Sequence, residues 1–382
     1  MFINFWYAAE ESKNLTDQPM HVRMLGQDFV LFRGSSGEAH CLSNTCCHRG
    51  ASLALGKIKG DCVECPYHGW QYDGDGVCQR IPSMGEDANI PKRAKVDAYP
   101  TQEKYGFIFA FLGDLPEDQR PPIMEVREWD KEGWRSTLQR FEFNFNYERS
   151  LENSVDLAHN EFTHTFQLYT ADKSFAMPEF ELEEHEDGWE HGFHLTMPGQ
   201  ATGMRKEVGK TKPGPSEIYT GFHGVSSFRT YIHPLPHMQL HQYFYETPID
   251  ESHTRLFFLN MRNFMLDEKG DKMVMKQNAT VAYEDRDVLE RLRPVITPPI
   301  NIHETFVPAD KPIAQYRERM KVFEAKGWRI DSDEVGRSKD KVAYAIPSPA
   351  RRKSKGWALD SIPLISGDKT RMPKAAELSV VR

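Results

Sequence analysis

No cysteine occurs after position 78 in this 382-residue chain; all six lie at 41, 46, 47, 62, 65 and 78. A disulfide framework spread along the chain is thereby excluded, and thiols crowded into one stretch of a large protein point to metal binding instead. No apolar run approaches the length needed to cross a bilayer. The opening residues Met1-Phe2-Ile3-Asn4-Phe5-Trp6-Tyr7 lack the basic and long apolar segments of a signal peptide, so a cytoplasmic location without membrane association is expected. Basic charge is in deficit, with 48 Lys and Arg against 56 Asp and Glu and a net charge of -8. That balance argues against nucleic acid or an anionic membrane as the main partner. Internal repeats and low-complexity tracts are absent too.

What remains is an ordinary globular composition, 39% hydrophobic and 27% charged with a mean hydropathy of -0.62, long enough for two domains. Up to about Phe111 the chain reads as short strands separated by turn signals at Gly26-Gln27, Gly34-Ser35-Ser36-Gly37 and Asp73-Gly74-Asp75-Gly76. Residues 105–111 read as the last strand of this all-β part, and Pro116 to Pro122 as a linker. Beyond it, Phe141, Phe143, Phe145 and Tyr147 alternate with polar residues as in a strand with one buried face. Ser150 to His164 has helical character. Residues 189–262 alternate as in a multistranded antiparallel sheet, with a hairpin about Asp250-Glu251-Ser252. Lys276 to Arg293 reads as a helix stopped by Pro294, and Ile313, Tyr316, Met320 and Phe323 mark a helix ended by Gly327. The basic Arg351-Arg352-Lys353 is expected to wrap a surface. The expected class is α+β: an all-β domain over 1–118, then a domain over 119–382 in which helices cover an antiparallel sheet in a helix-grip-like arrangement.

The densest chemistry is Cys46-Cys47-His48 followed, after sixteen residues, by Cys65-Pro66-Tyr67-His68. Two thiolates and two imidazoles suit either zinc or a [2Fe–2S] cluster. Each arm carries one Cys and one His, whereas a common zinc finger has a Cys pair and then a His pair. Mixed arms suit a binuclear centre with both Cys on one iron and both His on the other. With Arg49-Gly50, Gly69-Trp70 and the run from Trp70 to Gly76, these loops resemble those of the Rieske proteins, which implies Cys46, His48, Cys65 and His68 as cluster ligands. Cys47 departs from that pattern, where many relatives have proline, and makes the loop less rigid. Cys41, Cys47, Cys62 and Cys78 are otherwise read as small buried thiols.

A cluster domain alone leaves the rest of the chain unexplained. Downstream come Asn153, Asp156, His159 and His164, and non-haem iron(II) oxygenases bind their metal through two His and one carboxylate. His159 and His164 are the candidates for the imidazoles. Residues five apart on a regular helix differ by about 140° in direction, so a π-bulge or helix end is expected between Asn160 and Thr163. Asn153, Asp156 and His159, three apart, share a face.

This segment resembles the catalytic motif of the Rieske oxygenases, and the two motifs occur in that family's order. The resemblance implies that Asp156 bridges His68 of a neighbouring subunit to His159, which requires a homotrimer. Tyr283-Glu284-Asp285-Arg286-Asp287-Val288 is similar to the family's E-D-x-x-V/I pattern, with Asp285 at the ligand position and Asp287 as the rival; carboxylates are also commonplace at charged helix starts. His223, His233, His237 and His241 are read as pocket or core residues. Phe166, Tyr169, Phe222, Phe228, Tyr231 and Phe244 are candidates for a substrate pocket, most of them expected in the core.

The function implied is a terminal oxygenase component. A reductase, with or without a ferredoxin, reduces the cluster, and the cluster passes electrons to a mononuclear iron where O2 and a small organic substrate meet. The acidic surface suits electrostatically steered docking of the electron donor. Similarity to vanillate and dicamba O-demethylases favours monooxygenation over the cis-dihydroxylation of arenes. A non-catalytic electron-transfer protein and a zinc-binding interaction module are the readings from other classes.

Overall fold

The computed structural model describes residues 1–86, 89–156, 158–164, 177, 180–184, 188–197, 216–235, 237–298 and 304–367. The first part is built from eleven short strands: β1 (Phe5–Glu11), β2 (Met20–Met24), β3 (Gln27–Arg33), β4 (Ala39–Ser43), β5 (Lys57–Lys59), β6 (Cys62–Glu64), β7 (Gln71–Tyr72), β8 (Cys78–Arg80), β9 (Ala98–Tyr99), β10 (Thr101–Lys104) and β11 (Phe107–Leu112). They form antiparallel sheets in the orders β1-β11-β10, β2-β3-β4-β9 and β5-β6-β7-β8. The turn signals fall between strands as expected. Residues 105–111 are not one strand, because Tyr105 (φ +56°) and Gly106 (φ +80°) form a left-handed turn that joins β10 to β11.

The second part is a seven-stranded antiparallel sheet of β12 (Arg135–Phe143), β13 (Leu182–Glu184), β14 (Glu190–Met197), β15 (Ser216–His223), β16 (Ser227–Leu235), β17 (Met238–Pro248) and β18 (Thr254–Arg262). Its order is β12-β18-β17-β16-β15-β14-β13, so the hairpin about residues 250–252 is present as read and β12 closes against β18. The alternation of β12 buries Phe141 and Phe143, but the strand stops there. Asn146 intervenes: its side chain accepts the Glu148 N–H at 3.0 Å and starts helix α1 (Tyr147–Val155). Tyr147 is therefore helical.

Helix α1 ends well before His164. A separate turn, α2 (Asn160–Thr163), follows. Helix α3 (Glu268–Leu289) begins earlier than the apolar pattern indicates, because Asp267 caps it by accepting the Gly270 N–H at 2.7 Å. Helix α4 (Lys311–Ala325) ends as read, with Gly327 at φ +72°.

Period-two alternation divides the work of the large sheet. On β17, Gln242 approaches Asn278 of α3 at 3.5 Å, and Glu246 accepts from Ser150 of α1 at 2.6 Å. On β15, Thr220 donates to the Ser154 carbonyl of α1, and Phe222 meets Tyr316 of α4 edge-on. One face is thus covered by α1, α3 and α4. The opposite face presents Tyr243, Tyr245, Phe257 and Leu259 to Phe107 and Phe109 of β11 and to Met124 and Val126 of the connecting segment. The Thr247 hydroxyl donates to the Ala8 carbonyl across this seam. The basic tail is anchored as well as wrapped: Arg351 makes a two-pronged ion pair with Asp97, which is fully buried. Among the described residues no helix is long and apolar enough to cross a membrane.

Candidate metal centres

Two loops at one end of the first domain have the same backbone design. After β4, the Cys46 N–H donates to the Ala51 carbonyl and the Gly50 N–H to the Cys46 carbonyl. After β6, the Cys65 N–H donates to the Trp70 carbonyl and the Gly69 N–H to the Cys65 carbonyl. Both closures need a left-handed residue in fourth place after the Cys, and glycines supply it at φ +74° and +71°. Each loop holds its Cys buried and its His exposed two or three residues on.

The side chains pair by type, the Cys46 thiol lying against that of Cys65. The His48 and His68 rings lie 4.6 Å apart, and Trp70 stacks on His48 at 4.5 Å with the planes 5° apart. Burial pushes the Cys46 thiol up to about 12, although the Tyr72 hydroxyl and the His48 backbone N–H both favour its thiolate. A thiolate at that depth needs positive charge beside it, and two buried sulfurs beneath two paired imidazoles fit a cluster with one iron toward each pair.

The second group forms where α1, α2 and α3 meet. Helix α1 stops at Asp156, whose N–H still reaches the Glu152 and Asn153 carbonyls, while its carboxylate accepts the Ala158 N–H at 2.9 Å. The carboxylate thereby offers the backbone an alternative to helix. His159 then caps the start of α2 and His164 its end. The chain thus leaves the helix twice, once after Val155 and again at Thr163, at the helix end expected between Asn160 and Thr163; the extended backbone of His164 (φ -98°, ψ 101°) turns its side chain away from the helical course and lets residues five apart face one point.

His159 Nε2 lies 3.5 Å from Asp285 Oδ1, and His164 Nε2 lies 3.4 Å from the same oxygen. One donor atom from each of the three falls within 4.8 Å of the others. Donors about 2.1 Å from a shared ion and about 90–110° apart are separated by about 3.0–3.4 Å, so this spacing fits a metal at their centre. The outward nitrogens are engaged. His159 Nδ1 contacts the Asp156 backbone carbonyl, which can only accept, so Nδ1 carries the proton and Nε2 offers a lone pair inward. His164 Nδ1 contacts Glu284 Oε2 at 3.1 Å, with the same consequence. Asn153 Nδ2 donates to Asp285 Oδ1 at 3.2 Å. Burial opposes protonation of His159, but the Asp285 carboxylate prevails and raises its pKa. Burial likewise raises Asp156.

Asp287 sits apart and pairs with Arg286. His233 and His241 approach each other at 3.1 Å on the opposite face of the sheet, where Glu128 holds His241 at 3.0 Å. His223 reaches the Pro122 carbonyl, and His237 is exposed. Phe222 belongs to the core, Phe228 stacks on Phe244 at 4.1 Å, and Tyr231 lies on the face away from the triad. Phe166 and Tyr169 fall outside the described residues. Three residues emerge that the pattern did not single out: Glu284 on His164, Glu246 beneath α1, and Tyr72 against Cys46. Glu284 was marked only by its place before Asp285; Glu246 and Tyr72 look like ordinary strand residues.

Residues 5–100 match the model of the Rieske [2Fe-2S] domain, and residues 143–325 match that of the vanillate O-demethylase oxygenase C-terminal domain. The chain is 32% identical over 270 residues to chloroplastic chlorophyllide a oxygenase of Chlamydomonas reinhardtii, a match that covers 69% of this chain and 38% of that protein. It is 26% identical over 309 residues to the iron-sulfur subunit TsaM1 of the toluene-4-sulfonate monooxygenase system of Comamonas testosteroni, covering 76% of this chain and 88% of the subunit. Among solved structures, NdmA of Pseudomonas putida CBB5 with caffeine superposes with a TM-score of 0.71 at 24% identity, covering 85% of this chain and 91% of the other. Dicamba monooxygenase bound to 3,6-dichlorosalicylic acid gives 0.70 at 22%, covering 85% and 98%.

Proposed function

The chain belongs to the Rieske non-haem iron oxygenases, and from that premise we propose that it is the terminal oxygenase of a monooxygenase system acting on a small aromatic or cyclic compound. It is an oxidoreductase with a [2Fe–2S] cluster and a mononuclear iron. The first domain, residues 1–118, holds the cluster through Cys46, His48, Cys65 and His68; the second, 119–382, holds the iron through His159, His164 and Asp285. When bound, the cluster supplies single electrons and the iron the centre at which O2 is reduced.

The observation that carries the reading is the triad, with its three donors gathered within 4.8 Å and their outer atoms engaged by protein. Two neutral imidazoles and one carboxylate on one side of a metal leave its other positions for oxygen and substrate. Asn153 and Glu284 steady Asp285 and His164, and the Asp156 carbonyl fixes the His159 tautomer, so the donors need little rearrangement to bind.

His48 and His68 are exposed at the domain surface, suited to pass electrons out of the chain. In the assembly we propose, a homotrimer in the cytoplasm, His68 of one subunit faces Asp156 of the next, and a flavin reductase or ferredoxin supplies the electrons. Hydroxylation or oxidative demethylation fits the monooxygenases among its relatives.

The deciding experiment is His159→Ala. Iron should fall from about three to about two atoms per chain and turnover should cease, with the cluster's visible spectrum unchanged. Unchanged iron and activity would refute the assignment. Turnover under labelled O2 separates the chemistries, since a cis-diol carrying both labelled atoms rules out monooxygenation.

A further inference from the structure

Cys47 follows a proposed cluster ligand, and its sulfur stays beside that ligand's hydrogen-bond partner. The Tyr72 hydroxyl, on a ring with no exposed surface, lies 3.1 Å from Cys46 Sγ and 3.3 Å from Cys47 Sγ. A phenol has one proton to give and lone pairs with which to accept. An iron-bound Cys46 is a thiolate and can only accept, so the phenol proton goes to Cys46. The Tyr72 oxygen is then left to accept, and the Cys47 S–H is the donor within reach. The neighbouring Cys78 is committed elsewhere: its thiol donates to the Arg80 carbonyl at 3.3 Å.

We propose that Cys47 is a positioning residue for the cluster: its thiol donates to Tyr72 and thereby strengthens the hydrogen bond that Tyr72 donates to the Cys46 sulfur. The proposal rests on the reading of Cys46 as a ligand. Successive hydrogen bonds polarise one another, so a donor behind the phenol makes the phenol a better donor. Reduction adds one negative charge to the cluster, and a hydrogen bond to its sulfur stabilises the more negative state. The potential is therefore higher with the relay than without it.

The test is the midpoint potential of the intact protein at one fixed pH, measured by spectroelectrochemical titration. Wild type, Cys47→Ala, Cys47→Val, Tyr72→Phe and the two double variants are compared. Tyr72→Phe should lower the potential most. Cys47→Ala should lower it by less, and should have no further effect in the Y72F background, since the relay passes through the phenol. An unchanged potential in Cys47→Ala overturns the proposal, as does an equal shift with and without Tyr72. If Cys47→Ala does not retain a cluster, Cys47→Val, which lacks a donor and fills the space better, decides. A shift present with Tyr72 and absent in Y72F supports the relay; no shift, or equal shifts, overturns it.

Cys46→Ala separates this proposal from the reading beneath it. A cluster retained in that variant removes the ligand assignment. A cluster lost from an otherwise folded Cys46→Ala, together with no coupling between positions 47 and 72, removes the relay alone.

Discussion

Glu284 and Glu246 show two uses of a carboxylate around one site. Glu284 orients His164 through Nδ1 at 3.1 Å, and loss of such an outer partner typically weakens metal affinity about 10–100-fold. Glu284→Ala should show that loss in competition with an iron chelator, and Glu284→Gln, which keeps an acceptor, should lose less. Glu246 has one oxygen bonded to Ser150 and the other buried without a hydrogen-bond partner among the described residues. Burial, reinforced by the charge of Asp285, raises its pKa from 4.5 to about 8. Between those values the folded protein binds the extra proton and the unfolded chain does not, so this group lowers stability as pH rises from 4.5 to about 8 and no further above it. Glu246→Gln removes the dependence. Its stability relative to wild type, read from urea melts across that window, should rise with pH by up to a few kcal/mol.

At the scale of elements, α1 is held by charge as well as by apolar packing. Glu152 receives two bonds from Arg317 of α4; Glu304 pairs with both Arg149 and Arg317. Glu152 and Arg317 are each buried, so removing Arg317 leaves the Glu152 carboxylate with only the longer contact to Arg149, at 3.4 Å, among the described residues. Arg317→Leu should destabilise the protein by about 3–5 kcal/mol in chemical denaturation, whereas replacing Glu152 and Arg317 together with apolar residues should cost much less. The single variant should also bind iron more weakly, because α1 carries Asn153 and delivers the chain to His159. Local pattern could not reveal this network, since its bonded pairs are separated by up to 165 positions. Nor could it place the break after Val155. The residues from Ser150 to His164 suit a helix throughout, and the interruption depends on the Asp156 carboxylate accepting the Ala158 N–H.

The whole molecule is organised about the large sheet, with α1, α3 and α4 on one face and the cluster domain packed on the other. The triad lies with the helices, and in the proposed homotrimer it receives its electrons from the cluster of a neighbouring subunit. Light scattering should give about three times the chain mass of 44.1 kDa. Asp156→Asn should retain both metal centres yet slow oxidation of the reduced cluster in a single-turnover experiment; an unaltered rate would separate Asp156 from the electron path. The tail contributes to the same architecture, since Arg351 closes over the buried Asp97 of the first domain. Arg351→Ala should lower the melting temperature of the holoprotein by several degrees, as expected when a buried carboxylate loses its partner.

The linear order of residues by itself determined the two chemical loci, because ligand type and spacing are local. C-x-H with C-x-x-H needs only two matching loops, and alternation or a helical stripe needs only one buried face. The strand-rich first part, the antiparallel sheet and the helix ended by Gly327 were legible on those terms. Only the tertiary structure brought Asp285 to His159 and His164 across more than a hundred positions and placed Glu284 behind one of them. It also set the Tyr72 hydroxyl between two sulfurs. Those contacts arise where α1, α3 and the sheet, or two loops of the first domain, are packed together, and no local pattern encodes which distant side chains that packing makes neighbours.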